Sequence, residues 1–204
     1  MARDLAVSVV NETKGGLELI AFLQNEPFLA STLVAAWEYV FLAGGGASWD
    51  FVLPSTFEVS GLAAAEPATR TQLLEARERD QFEITAEPQE PTLPTTIARI
   101  GHAAADGAIS VRNGLAAAPV WAVLSKSGQP VLSTFLDPRA SVDYTVPATL
   151  YLALVSGLRR GDTFSPGSEQ LTSTWAFPYA GFDALRVVAS DGLGGAVSLS
   201  GRLS

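Results

Sequence analysis

Cysteine is absent from this chain, lysine occurs only at Lys14 and Lys126, and His102 is the sole histidine. Each scarcity excludes a chemistry. Without cysteine there is no disulfide, no thiolate nucleophile and no cysteine-ligated zinc. The formal net charge is −8 and the positive charge is almost all arginine. Such a chain lacks the basic face that displaces counterions from nucleic acid or that holds a protein to an anionic bilayer surface. Any catalytic triad or histidine-bearing metal site must use His102, which sits beside Gly101, Ala103 and Ala104 and reads as a linker residue. No Gly-x-Ser-x-Gly nucleophile elbow occurs. No apolar run is long enough for a membrane span or a signal core. The start, Met1-Ala2-Arg3-Asp4-Leu5, carries an acid where a signal peptide is basic. The expectation is a soluble protein, cytoplasmic or exported by a non-standard route, with no membrane span, no nucleic-acid partner and no cofactor or metal.

What is present is a repeat. Ala47-Ser48-Trp49-Asp50-Phe51-Val52-Leu53-Pro54 returns as Ala140-Ser141-Val142-Asp143-Tyr144-Thr145-Val146-Pro147. Ser8-Val9-Val10-Asn11 returns as Ser110-Val111-Arg112-Asn113, and residues 19–23 return as residues 120–124. Val59-Ser60-Gly61-Leu62 returns as Val155-Ser156-Gly157-Leu158. The order is kept and the spacing drifts, as in a duplication with insertions confined to loops. The expected units are residues 1–104 and 105–204, either separate or sharing one pseudo-symmetric sandwich.

At 48% hydrophobic and 17% charged residues the chain is globular, and its patterns read as β. Val142, Tyr144 and Val146 alternate with Ser141, Asp143 and Thr145, and Trp49, Phe51 and Leu53 do the same in the first unit. Pro54 and Pro147 end these strands. Residues 17–23 and 33–42 are apolar on both sides and read as inner strands. Gly44-Gly45-Gly46 is a loop without the Lys-Ser/Thr of a phosphate loop. Residues 81–87 with 95–100, and 185–190 with 196–203, read as closing hairpins. Residues 70–80 fit a short helix by charge and a strand by their place in the unit. The fold class is an all-β, antiparallel sandwich built from two tandem, sequence-related units.

The chain resembles a set of uncharacterised bacterial β-sandwich proteins of about 200 residues. The resemblance is carried by the aliphatic strand ending at Asn11, by Val34-Ala35-Ala36-Trp37, and by the glycine-punctuated strands of residues 127–161. These are core and turn positions, so the resemblance implies a fold and no activity.

The candidate contact residues are Trp175, Phe177 and Tyr179, which alternate along one strand and would share one face. Exposed, that face would be a platform for a sugar or a protein. Asp50 and Asp143 stand at equivalent places in the repeat and read as polar-face residues that keep a sheet soluble. Glu75, Glu78, Asp80, Glu83, Glu87 and Glu90 form an acidic stretch without calcium-loop spacing. Asn11-Glu12-Thr13 is a formal glycosylation sequon, and Arg160-Gly161-Asp162 reads as a turn. No residue is assigned a catalytic role. The expected function is a non-catalytic structural or interaction protein that self-associates into a homo-oligomer or filament. The alternative is a carbohydrate-type binding module.

Overall fold

A computed structural model describes residues 3–26, 31–66, 68–145, 148–165 and 167–204. The strands in chain order are β1 (Leu5–Asn11), β2 (Leu17–Phe22), β3 (Thr32–Ala35), β4 (Glu38–Leu42), β5 (Ala47–Leu53), β6 (Phe57–Ala63), β7 (Leu74–Ala76), β8 (Asp80–Thr85) and β9 (Thr96–His102). They continue as β10 (Ala108–Asn113), β11 (Val120–Lys126), β12 (Gln129–Leu136), β13 (Ser141–Thr145), β14 (Thr149–Val155), β15 (Thr163–Phe164), β16 (Leu171–Pro178), β17 (Ala184–Asp191) and β18 (Val197–Leu203). Among the described residues the only helical turn is a 3-10 turn at Leu193–Gly195, and no helix is long and apolar enough to cross a membrane.

The strands gather into two compact units. Unit 1 comprises Met1–Leu23, Ala36–Ser55 and Ala148–Ser204; unit 2 comprises Gln24–Ala35 and Thr56–Pro147. Unit 1 holds one sheet in the order β18-β17-β1-β5 and another in the order β16-β14-β2-β4. All pairings are antiparallel except β1 with β17. Leu5, Val7 and Val9 alternate with more exposed residues along β1 and are buried, as are Leu185, Val187 and Ala189 on β17. Leu19, Ala21, Leu150, Leu152 and Phe177 are buried on the second sheet. The Phe177 ring lies so close over Gly201 of β18 that a Cβ there would collide with it. Burying each such side chain stabilises the fold by about 1.5–3 kcal/mol.

Unit 2 repeats this plan. One sheet runs β13-β10-β8-β9, with β10 parallel to β8, and the other carries β3-β12-β11-β6-β7. The two sheets face each other through Gly61 on β6, where a Cβ would stand 2.8 Å from Ile84 of β8, and through Tyr144 of β13, whose hydroxyl donates to the Ala122 carbonyl at 2.7 Å. Lys126 is fully buried, with its ammonium 3.6 Å from the centre of the Phe57 ring and 3.4 Å from the Thr56 carbonyl. It holds the start of β6 in place.

Each unit is locked by a buried asparagine at the end of its central parallel-paired strand. The Asn11 amide donates to the carbonyls of Gly15, Leu42 and Ala43, and its oxygen accepts from the Thr13 amide. Asn113 donates to Ala118, Leu136 and Asp137, and accepts from the Leu115 amide. A buried amide that meets its hydrogen-bonding capacity ties a loop and a strand end together at one point. It also leaves the sequon asparagine no free nitrogen for a glycan.

Several expectations change. The compact units do not divide at 104/105: β6–β9 pair with β10–β13, and β14–β18 return to β1, β2, β4 and β5. The short join of residues 103–107 therefore lies inside unit 2. Residues 33–42 are not one strand. The chain breaks at Ala36, whose amide donates to Asp162, and at Trp37, whose amide donates to Ala21, so β3 joins unit 2 and β4 joins unit 1. Residues 70–80 form no helix; β7 pairs with β6 as β16 pairs with β14. Ser8 faces Asp50 in unit 1 and Ser110 faces Asp143 in unit 2, an equivalent pairing in each. Residues 155–158 do not correspond to residues 59–62. They close β14 and turn at Gly157, whereas Val59 and Leu152 share a place, paired with Leu124 and Ala21. The match of residues 19–23 with 120–124 is also shifted, because Leu42 pairs with Leu17 and Leu136 with Val120. Pro54 follows the end of β5; Pro147 and Val146 lie outside the described residues.

Candidate functional site

Trp175 and Phe177 lie on β16, whose partner is β14 from Thr149↔Pro178 to Val155↔Leu171. Along β16, Thr172, Thr174, Ala176 and Pro178 are exposed, while Trp175 is half-buried and Phe177 buried. The alternation therefore turns the aromatic side inward, because the apolar rings fill the space between the sheets. Tyr179 follows the strand, half-buried, with its amide donating to Ala148. Burial pushes its hydroxyl up to about 12. Of the candidate face, Phe177 is buried and Trp175 and Tyr179 are half-buried.

The outward feature of β16 is its edge. The Tyr179 to Ala148 hydrogen bond sets the alternation of the ladder. It puts Trp175 and Phe177 in bonded pairs with β14, so the amides of Thr174 and Ala176 point away from the sheet. Among the described residues no strand pairs with that side. The two sheets of unit 1 end in β18, β5, β16 and β4. Three of these carry a charge, at Arg202, Asp50 and Glu38; the eight residues of β16 carry none. Edge strands are ordinarily kept from pairing by charge, by proline or by being short. Here Pro178 stands only at the end.

The second feature is the outer face of the sheet β5-β1-β17-β18. Asp50, Ser8, Arg186 and Arg202 stand side by side across its four strands. A shallow groove of about 400 Å³ beside them is lined by Ala6, Ser8, Asp50, Val52, Arg186 and Ser204. Arg186 and Arg202 face each other with no ion pair among the described residues. The corresponding row of unit 2 is Asp143, Ser110, Gln81 and Gly101, so the serine and aspartate recur and the arginines do not.

The remaining candidates fall into ordinary structure. His102 is exposed at the end of β9. In the acidic stretch, Asp80 is buried and bonded to the Arg77 amide and to Arg99 at 2.9 Å, and among the described residues no three His, Asp or Glu side chains gather to hold a metal. Arg160-Gly161-Asp162 is a turn with Gly161 at φ 87°, closed by Asp162 accepting from the Arg159 amide. Burial pushes the Glu38 carboxyl up, and Arg160 at 2.8 Å pulls it partly back. Trp49 and Trp121 are half-buried; Trp49 tilts against Phe51 and Trp121 meets Phe135 edge-on. No family model, curated protein or solved structure matches this chain.

Proposed function

We propose that this chain is a non-catalytic structural or interaction protein that self-associates, with β16 as the strand through which folded copies join. The observation that carries this reading is the unpaired, uncharged edge of β16. Addition of a strand to such an edge supplies main-chain hydrogen bonds without any pocket. We infer further that the two units descend from a duplication, supported by the matching asparagine locks and by the Ser-Asp pairs at one register.

The test is light scattering across a concentration series for the wild type and for Thr174→Pro. Proline removes one outward amide of β16 and no bond to β14. The expected outcome is reversible, concentration-dependent association of the wild type, with the variant folded and monomeric at 21.4 kDa. A wild type that stays monomeric throughout overturns the reading. That result would favour the carbohydrate-type alternative, whose support is the groove with Asp50, Ser8 and Arg186 rather than the Trp175–Tyr179 face.

A further inference from the structure

We propose that unit 1 can be completed by a second copy of this chain, residues 148–204 of one copy folding onto residues 1–23 and 36–55 of another. This goes beyond edge pairing between folded molecules and does not use the β16 edge.

Unit 1 is a split sandwich. Its two parts flank residues 56–147, which fold into the other unit. Two strand pairings hold the parts together. One is the parallel ladder of β1 with β17, from Ala6↔Ala184 to Asn11↔Ala189. The other is β2 with β14, from Leu19↔Leu154 to Phe22↔Tyr151. The Ala6 amide donates to Asp183, the Glu12 amide donates to Ala189, and Arg3 pairs with Asp183 at 3.0 Å. Every one of these contacts joins the two parts without a covalent bond. Another copy supplies the same atoms in the same register.

Neither part is complete alone. Apart, they would expose Val7, Val9, Leu19 and Ala21 on one side and Leu152, Leu185 and Val187 on the other, all now buried. Each part must therefore find a complement. The contacts are identical in the closed and exchanged forms, so the outcome depends on the connection and on concentration. Within one chain the complement is present at the effective concentration of a tether. Between chains it is present at the concentration of protein during folding. The covalent link to residues 148–204 runs through Thr145-Val146-Pro147-Ala148, and short connections favour exchange. Reciprocal exchange gives a closed dimer, and head-to-tail exchange gives an open filament.

The absence of cysteine makes the test direct. Ser8→Cys with Arg186→Cys places two thiols at one register position of β1 and β17; Val10→Cys with Val188→Cys is the second pair. Each full-length variant is unfolded in denaturant, refolded dilute or concentrated, and joined by oxidation or a short bis-maleimide. Non-reducing electrophoresis reads which chain each thiol found, and single-cysteine variants exclude chance pairing. Dilute refolding, which verifies the register, is expected to give a cross-link within one chain. Concentrated refolding is expected to give a dimer band or a ladder at least severalfold stronger, and it persists when Thr174→Pro is added. Cross-links confined to single chains after concentrated refolding overturn the proposal, whether or not native copies associate through β16. Loss of native association in Thr174→Pro with the ladder intact supports the exchange and assigns native association to the edge.

Discussion

Asn11 and Asn113 show how much one buried polar side chain settles. Each donates to three carbonyls, and each is fully buried. Removing the amide leaves buried acceptors without a donor, each worth roughly 1–3 kcal/mol. Asn11→Ala is expected to lower stability in urea by about 2–4 kcal/mol, and Asn113→Ala by a similar amount. The repeated asparagine was visible in the sequence, but its role was not, because two of its three acceptors lie at the end of the far strand of the next hairpin. Tyr144 and Tyr179 carry a pH dependence. Burial raises both hydroxyls above their usual 10.0, Tyr179 to about 12. In that interval the folded chain keeps a proton that the unfolded chain has lost. Stability is therefore intact below pH 10 and falls as pH rises from 10 toward 12. Thermal melts at pH 8, 10 and 11 should show the decline, and Tyr179→Phe should lessen it.

At the scale of a strand, period-2 alternation told where residues face one another but not which side faces water. Trp175 and Phe177 do share a face, as the sequence implied, but Phe177 is buried against Gly201 of β18 and Trp175 is half-buried. Trp175→Ala is consequently expected to cost about 2–3 kcal/mol of stability, read as a lowered melting temperature, while native association through the outward amides of β16 is retained. The strands with strong alternation, β1, β5, β13 and the β17-β18 hairpin, were legible because one side of each is apolar. The break between β3 and β4 was not. Val34, Ala35, Ala36 and Trp37 are all buried, and a continuous apolar run carries no mark of where the chain changes sheet.

At the scale of the molecule, sequence similarity located corresponding strands and left their partners open. Repeats can close on themselves or on each other with the same inner faces, and the choice rests on which β6 or β14 reaches which β2 or β11. Here β6 pairs with β11 and β14 with β2. The all-β class and the hairpins therefore followed from local pattern, whereas the division into units followed from contacts between distant residues.

The parallel pairing of β1 with β17 has a further meaning during synthesis. Strand β1 leaves the ribosome well before β17, its neighbour on that side, because residues 12–183 are made between them. Unit 2 has all its strands by Thr145 and can consolidate while translation continues. The apolar face of β1 must wait, a long-range closure of the kind that folds slowly. In a cell the nascent N-terminal strands are thus a substrate for chaperones until the last strands arrive, and neighbouring ribosomes on one message bring competing complements within reach.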